Sequence, residues 1–461
     1  MSLAARLGSF AAEMRPGDLS PDVIEQLKLR LLDLFGAAVS GIEAGGWRAF
    51  ANEPAAGSAC IWPSGRQGAA REAAFLNSFV SHATYMEDGS RFTGGHPSSV
   101  VVPAALAAFE DAGRGSGTDF LVAMATGYEV FLRLGRTVYP EIVQRGFQST
   151  AALGAVASAA AVASAHKLSR AEAGNAIAIA ATMGFGLKHA LKAPASQPVQ
   201  VARACQGGVI ACEAAARGAT GSADILEASL LPMYGATGAP QGITEGLGRT
   251  FSVSETYIKL HGGCRGNHAP IDIVQDLLLR SGRAVEEIAT IRIAVDSVTH
   301  AADIEDPQTP GQAQFSARFA VAAHLLTGDA LPRRYSAIRL ADPDQQALMA
   351  KIALMVSPEL DSSYPEQRGA WAQIDFTDGR SISDTVALAC GEPETPVSLA
   401  AVETKFQRLA GASLGDDAAR LRDLVADLER LSDVKQLTVL LGRATHHPQA
   451  TGKENALEIQ Q

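Results

Sequence analysis

The segment His82–Pro97 combines side chains that can move protons with side chains that can bind anions. It reads HATYMEDGSRFTGGHP and holds two histidines, a tyrosine, two carboxylates and an arginine. The glycines before His96 and the proline after it predict a loop, and loops on rigid scaffolds often carry function. His96 is a candidate acid or base, Asp88 a candidate orienting group, and Arg91 a candidate for holding a carboxylate. The alternative interpretation is a polar surface loop with a capping serine.

A second such segment is Lys259–Pro270, which reads KLHGGCRGNHAP and directly precedes a predicted helix over 270–280. A helix N-terminus with cations nearby is a good anion site. Lys259 is a candidate for proton transfer, provided that burial or another cation lowers its pKa. His268 is expected to bind or orient, and Arg265 to hold a substrate carboxylate. The alternative is a solvated basic loop at a domain junction.

Two shorter motifs have plainer interpretations. Gly146–Thr150 (GFQST) opens a helix of small residues, with Ser149 or Thr150 as the expected N-cap. Lys188-His189 is interpreted as a structural connection between two helical runs.

The sequence contains no G-x-S-x-G, no G-x-x-x-x-G-K-[ST] and no H-E-x-x-H motif, so nothing proposes a serine hydrolase, a nucleotide site or a zinc protease.

The composition narrows the class of protein. The chain has 461 residues, of which 47% are hydrophobic and 19% charged, and this is typical of a globular protein with two or three domains. Lys+Arg of 39 and Asp+Glu of 49 give a net charge of 39 − 49 = −10, which argues against a nucleic-acid partner. No apolar run is long enough to span a bilayer, and the N-terminus lacks a signal-peptide pattern.

The cysteines indicate the redox environment in which the protein resides. The five cysteines are scattered and form no C-x-x-C motif, so neither a disulfide framework nor a structural zinc site is expected. Free thiols are typical of a reducing environment. We therefore expect a cytoplasmic protein without a metal site.

Helix signals dominate the first 250 or so residues. Ser20-Pro21 predicts a helix start, and Ser169 with Glu172 fits a capping box. Further helices are predicted over 100–112, 117–134, 151–165 and 199–216, and the one over 151–165 is almost wholly Ala, Gly, Val and Ser. Such small side chains predict helices that pack closely around one core.

Strand signals follow a glycine-rich connection over 235–248. Residues 290–295 alternate like a strand, and two runs around Asp378-Gly379 read as a hairpin over 370–376 and 381–387. Helices are predicted at 316–326, 344–355, 402–409 and 416–431, and the polar tail from His446 is expected to be loose.

The simplest architecture is mainly α with an α+β second domain. Residues 1–255 and 397–461 would form one discontinuous helical domain, and 256–396 an α+β lid. The two polar loops would then meet across the cleft between the domains, where ligand sites are common.

Taken together, the motifs resemble the MmgE/PrpD family, whose members include 2-methylcitrate dehydratase, cis-aconitate decarboxylase and iminodisuccinate epimerase. The matching pieces occur in family order over nearly the whole chain. They are His82…Glu87-Asp88…His96-Pro-Ser, Gly127-Tyr-Glu129…Arg133, Gly146-Phe-x-Ser-Thr, Gly207-Gly…Gly221, Lys259…His268…Asp272, Asp378-Gly379-Arg380 and Pro396…Lys405-Phe406.

The resemblance implies a discontinuous helical domain with an α+β lid, a homodimer, and no organic cofactor. It also implies a small polycarboxylate substrate. The chain departs from the family pattern at four positions. Tyr85 stands where the family has an acidic residue, Gln148 where it has a histidine, and Gln197 and Gln200 where it has a lysine and a histidine. Glutamine can bind through hydrogen bonds but carries no proton at neutral pH, so Gln148, like Tyr85, is a candidate substrate-binding residue.

The shared chemistry of this family places charge on a carbon next to a carboxylate or carbonyl. Such a reaction needs a base for the α-proton and cations that stabilise the enolate-like state. His96 and Lys259 are the expected proton carriers. Three hypotheses follow for the function: a dehydratase-type lyase, an epimerase or isomerase of an α-substituted dicarboxylate, and a non-catalytic binding protein on the same scaffold.

Overall fold

The structure is a computed structural model that describes residues 1–193, 196–236 and 241–444. The N-terminal part is helical, as predicted, and it also contains a short hairpin that the sequence analysis missed. The strands of this hairpin are β1 (Ala59–Ile61) and β2 (Arg66–Gly68). The helices are α1 (Leu3–Glu13), α2 (Pro21–Ala44), α3 (Ala70–His82), α4 (Ser98–Asp111), α5 (Gly117–Val138), α6 (Glu141–Gln144), α7 (Ser149–Ala165), α8 (Arg170–Ala180), α9 (Gln197–Ala216), α10 (Leu231–Tyr234) and α11 (Gln241–Thr244).

The small-residue helix α7 lies at the centre of this helical part and packs against α4, α5, α8 and α9. A Cβ atom on Gly208 of α9 would lie 2.4 Å from the Cβ atom of Ser158 on α7, so only glycine permits this close approach. The capping box of Ser169 and Glu172 is confirmed at the start of α8. The expected cap of α7 is wrong, because the Gln148 side chain, rather than Ser149 or Thr150, accepts from the Ala151 N–H.

The second part of the chain is α+β. Its strands are β3 (Ile288–Val295), β4 (Ile352–Val356), β5 (Ala370–Phe376) and β6 (Ser381–Val386), in the sheet order β4-β3-β5-β6. Its helices are α12 (His268–Ser281), α13 (Ser297–Ala302), α14 (Pro310–Ala313), α15 (Ala317–Thr327), α16 (Ala337–Ala341), α17 (Pro343–Met349) and α18 (Pro358–Ser363). β5 alternates buried and half-buried residues, and α12 packs across β5 and β6. β5 pairs with β6 in antiparallel orientation, so the predicted hairpin around Asp378-Gly379 is confirmed.

The helix expected over 344–355 is half wrong. α17 ends at Met349, and Ile352–Val356 forms the edge strand β4, which pairs in parallel with β3. The run Ile-Ala-Leu-Met-Val fits a helix or a strand equally well by local pattern. Pairing with β3 decides in favour of the strand, because it satisfies the backbone groups of both segments.

Helices α19 (Leu399–Leu414), α20 (Asp416–Ala426) and α21 (Lys435–Leu441) return to the helical part. α19 packs against α2, where the Lys405 ammonium forms a buried ion pair with Asp33. The helix expected to reach residue 431 ends at Ala426 and is followed by a short 3-10 turn.

Two large hydrophobic cores result. One joins residues from 3–258 to residues from 402–444, and the other lies within 269–389. The overall fold is thus a helical domain with an α+β domain, while the exact boundaries at 255/256 and 396/397 stay a prediction. The expected loose tail from His446 lies outside the described residues.

Two further sequence expectations concern the described part of the chain. All five cysteines are free thiols, so the prediction of no disulfide is confirmed. Among the described helices, none is both long and apolar enough to cross a membrane.

Candidate active site

Three side chains of the first loop form the centre of the site. His82 is the last residue of α3, and its Nδ1 donates to the Glu87 carboxylate, which is completely buried. The same Glu87 oxygen lies 3.7 Å from Nδ1 of His96. Burial alone would raise the pKa of Glu87, but His82 and His96 outweigh it and hold the pKa below its ordinary value. Glu87 is therefore an ionised carboxylate between two imidazoles.

His96 is held in one tautomer. Its Nδ1 lies 2.6 Å from the backbone carbonyl of Asp88, so Nδ1 carries the proton and donates, which leaves Nε2 with a lone pair. Burial first, and the Lys259 ammonium second, lower the pKa of His96 to about 3 against the opposing Glu87 charge. The side chain remains 14% exposed. At neutral pH, His96 is thus a neutral imidazole with its accepting nitrogen free to meet a ligand.

Lys259 brings a cation into the same pocket. Its ammonium is almost fully buried and donates to the backbone carbonyls of Tyr85 at 2.6 Å and Gly263 at 3.4 Å. Burial lowers the pKa of Lys259 to about 8, although the Glu87 charge opposes this. The sequence analysis required burial or a neighbouring cation to lower the pKa of Lys259 for proton transfer, and the lysine is buried.

The two polar loops are in direct contact. Gly89 and Tyr257 exchange backbone hydrogen bonds of 3.2 and 2.7 Å, and a Cβ on Gly89 would collide with the Tyr257 hydroxyl and with Nδ1 of His96. Glycine at position 89 therefore lets the second loop approach His96. The structure brings His96 and Lys259 together at the junction of the two parts of the chain.

His268 is the first residue of α12 and is completely buried. Its Nδ1 accepts from the Arg265 guanidinium at 3.0 Å, so its Nε2 carries the proton. Burial first, and the Arg265 charge second, lower the pKa of His268 well below its ordinary value. Nε2 has no hydrogen-bond partner in the described part of the chain. The geometry makes His268 a neutral donor rather than a base.

The two arginines expected to hold substrate carboxylates are already paired. Arg91 contacts Glu392 at 2.8 Å and also contacts Glu394, while Arg265 contacts the other oxygen of Glu392 at 2.8 Å. Arg91 and Arg265 are each 4% exposed in their side chains, and Glu392 is 2% exposed. Glu392 thus bridges the two arginines and joins the two loops, with Glu394 as a second carboxylate on Arg91. Both guanidiniums are engaged within the protein, whereas the sequence analysis expected them to hold substrate carboxylates.

The remaining predicted residues line or support the pocket. Tyr85 has a positive φ of 51° and a buried ring that packs edge-on against His82 and Phe315. Asp88 accepts from the Ser98 N–H and the Tyr128 hydroxyl, and burial raises its pKa to about 6. The backbone carbonyl of Asp88, rather than its carboxylate, orients His96.

Gln148 has a divided role. Its Oε1 accepts from the Ala151 N–H at 2.6 Å as the cap of α7, and its backbone N–H donates to the Gly186 carbonyl at 3.0 Å. Only the amide nitrogen of its side chain is left to meet a ligand, as a donor.

Sequence reasoning named His82, Glu87 and Lys405 but gave them no role. Lys405 donates to the Met86 carbonyl at 2.6 Å as well as to Asp33, and so anchors the backbone next to Glu87. The five-residue spacing of His82 and Glu87 within a single loop was the available signal. The partnership of Lys405 had no local signal, because the two groups that it contacts lie in distant parts of the sequence.

The chemistry available here is proton transfer and anion binding. Within residues 1–193, 196–236 and 241–444, no group of three or more His, Cys, Asp or Glu side chains is arranged to hold a metal ion. The second oxygen of Glu87 and Nε2 of His82 are buried and lack partners among the residues described. Buried polar groups are usually paired, so these two atoms are candidates for contact with a ligand.

Comparison with known proteins gives the family. Residues 5–240 match the model of the MmgE/PrpD N-terminal domain, and residues 261–430 match that of the MmgE/PrpD C-terminal domain. The chain belongs to the MmgE/PrpD family. The resemblance inferred from the motifs is thereby confirmed.

Two curated proteins are similar to this MmgE/PrpD chain over nearly their whole length. The cis-aconitate decarboxylase-like protein oryM of Aspergillus oryzae is 28% identical over 471 residues, which cover 95% of the chain and 97% of that protein. The cis-aconitate decarboxylase of Aspergillus terreus is 26% identical over 477 residues, which cover 97% of each.

Proposed function

We propose that this protein is a lyase that works without an organic cofactor on a small di- or tricarboxylate, at a carbon next to a carboxylate. The observation that carries the proposal is the free Nε2 of neutral His96 in the same pocket as the buried Lys259 ammonium. The similarity to cis-aconitate decarboxylases supports a lyase of the dehydratase or decarboxylase type. The expected homodimer stays a prediction, for which light scattering of the purified protein is the direct measurement.

The protonation states of His96 and Lys259 determine which of them acts as the base and which as the acid. In a dehydration, Nε2 of His96 takes the α-proton, and the Lys259 ammonium donates a proton to the departing hydroxyl, which leaves as water. In a decarboxylation, the electrons of the broken C–C bond stay on carbon, and the Lys259 proton replaces the lost carbon dioxide. In both, the ammonium stabilises the enolate-like charge, and such electrostatic stabilisation is usually the largest catalytic contribution.

Substrate charge makes His96 a better base. In the free protein its pKa of about 3 leaves it neutral but weakly basic. A bound carboxylate favours the protonated imidazole, and therefore raises its pKa toward the range in which a base is effective. The negative charge of the same carboxylate also offsets the cost of burying the Lys259 ammonium.

Proton NMR in deuterium oxide tests the proposal with cis-aconitate, citrate, 2-methylcitrate and iminodisuccinate as probes. A lyase consumes the substrate and replaces its proton signals with those of a product that has gained a carbon–carbon double bond or lost a carboxylate, and a decarboxylase also places solvent deuterium in the product. Exchange of an α-proton without consumption of the substrate would identify an epimerase instead. A protein that only binds would broaden or shift the signals of the probe without any reaction.

The pH dependence of kcat/KM should report Lys259. The lysine is protonated below its pKa of about 8 and neutral above it, so a required ammonium makes kcat/KM fall about tenfold per pH unit above pH 8. His96, with a pKa of about 3, stays neutral throughout and adds no change near neutrality. The measurement is a series of initial rates between about pH 6.5 and 10.

The variant Lys259→Arg is the control for this pH profile, since arginine keeps its charge over the whole range. Its residual activity should show no fall near pH 8. A fall that persists in Lys259→Arg would assign the titration to another group and contradict the role given to Lys259.

A further inference from the structure

The proposed reaction leaves one requirement unmet. A di- or tricarboxylate brings at least two negative charges, and the arginines near His96 are already paired with Glu392 and Glu394. Lys259 can meet only the carboxylate next to the reacting carbon. A cationic site for a more distant carboxylate must come from other residues.

Arg368, just before β5, has the properties of such a site. Its Nε donates to the Thr299 hydroxyl at 2.9 Å and lies 4.0 Å from Asp296, which fixes the stem of the guanidinium. Neither terminal nitrogen has a hydrogen-bond partner within the described ranges, although the side chain is only 18% exposed. An arginine that is mostly buried but keeps two free donors is suited to bidentate binding of a carboxylate.

The position of Arg368 places it at the junction of the two loops. One terminal nitrogen lies 3.3 Å from where a Cβ on Gly266 would stand, in the second loop. The neighbouring Tyr364 makes a hydroxyl–hydroxyl contact with Tyr139, whose ring packs on Gly94 in the first loop. Burial raises the pKa of Tyr257, whose ring faces His96, and the Arg368 charge is among those that oppose this rise.

Lys188 approaches Arg368 from the helical domain. Its backbone N–H donates to the Gly146 carbonyl at 2.8 Å, and the Gln200 side chain holds the preceding Leu187 N–H at 2.5 Å. Its ammonium is half-buried, and no hydrogen bond or ion pair to another described residue is present. Burial lowers the pKa of Lys188, and the charge of Arg368 lowers it further. Lys188 has no ion-pair partner among the described residues, and an anion bound near both groups would reduce the repulsion between its ammonium and the Arg368 guanidinium.

We propose that Arg368 and Lys188 together bind the substrate carboxylate that is remote from the reacting carbon. The proposal rests on the proposed function and adds the residues that hold the second carboxylate, so that one carboxylate reaches Lys259 while the other reaches Arg368. A monocarboxylate would leave this pair of cations uncompensated and would bind weakly. Because one cation comes from each domain, the substrate also bridges the two domains.

Steady-state kinetics of Arg368→Gln and Lys188→Met test this site, with whichever tricarboxylate or dicarboxylate the NMR assay shows to react. A hydrogen bond to a charged group is worth enough that each variant should raise KM by about 10- to 100-fold, while kcat changes by less than about threefold. Arg380→Gln is the matched control, since Arg380 is 79% exposed and contacts only Asp378. Its KM should equal that of the wild type.

A substrate analogue sharpens the test. Converting the remote carboxylate of the substrate to an amide should raise KM of the wild type as much as Arg368→Gln does. The variant should then show little further loss with the amide, because the interaction is already missing. Equal penalties in wild type and variant would place the remote carboxylate elsewhere and overturn the assignment.

The experiments distinguish failure of the proposed function from failure of the Arg368–Lys188 site. If the wild type reacts with none of the polycarboxylate probes, the proposed function fails, and the carboxylate site fails with it. If the wild type reacts but both variants keep its KM, only the Arg368–Lys188 site is wrong. Should Arg368→Gln not fold, as judged by circular dichroism, Lys188→Met carries the test alone, because the Lys188 side chain has no partner to lose among the described residues.

Discussion

Replacing His96 with alanine should lower turnover by about 10²- to 10⁴-fold, which is the usual contribution of a positioned acid or base. The substitution removes the one imidazole nitrogen of this pocket that is both unprotonated and open to a ligand. Binding of substrate should change much less than turnover, since the cations that meet the carboxylates remain. The measurement is kcat with the reacting polycarboxylate at saturation.

Two further variants separate proton transfer from structure. His96→Asn can still donate to the Asp88 carbonyl but offers no basic nitrogen, so it should be as slow as His96→Ala. Free imidazole added to His96→Ala should restore part of the turnover by occupying the cavity that the side chain leaves. His300→Ala, at an exposed position of α13, should be unaffected. Wild-type turnover in His96→Ala would refute the role of His96 as the base.

Replacing Glu392 with alanine should reduce the free energy of unfolding by about 3–5 kcal/mol, as expected when a buried ion pair loses one partner. The carboxylate lies between Arg91 and Arg265, and each of its oxygens meets a different guanidinium. Without it, Arg265 keeps the backbone carbonyls of residues 389 and 390, the ring nitrogen of His268 and the face of the Tyr257 ring, but no carboxylate among the described residues. Urea unfolding followed by circular dichroism measures the loss.

Glu394→Gln is the matched control for this effect. Glu394 contacts the same Arg91 but is 50% exposed, so its removal should cost at most about 1 kcal/mol. Equal destabilisation by the two variants would show that Arg91, rather than the double bridge through Glu392, sets the stability of this junction.

Local signals in the sequence were sufficient for much of the fold. Caps such as Ser20 and Ser169, and the Asp378-Gly379 turn, act within a few residues, and the structure contains the elements that they predict. The helix predicted over 344–355 was wrong at the residues that form β4, for the opposite reason. Its conformation depends on pairing with β3, about 60 residues earlier in the chain, which no local pattern encodes.

The candidate site divides in the same way. His96, Lys259 and His268 were found because their loops concentrate chemically active side chains within a few residues. The commitment of Arg91 to Glu392 could not be foreseen, because 301 residues separate the two in sequence. Arg368 gave no signal, since it stands alone in its segment and its partners Thr299 and Asp296 lie in a distant part of the sequence. Ionic partners are therefore harder to predict than the ionic residues themselves.

The ion pair between Asp33 and Lys405 has a consequence for how the chain is made. The two residues are 372 positions apart, so at a synthesis rate of roughly 5–20 residues per second the ribosome adds Lys405 about 20–75 s after Asp33. During that interval the face of α2 that α19 will cover is exposed, and Asp33 lacks the Lys405 ammonium. The helical domain begins the chain but can be completed only after the whole α+β domain has emerged. Completion of the helical domain thus waits for the synthesis of α19, which packs against α2.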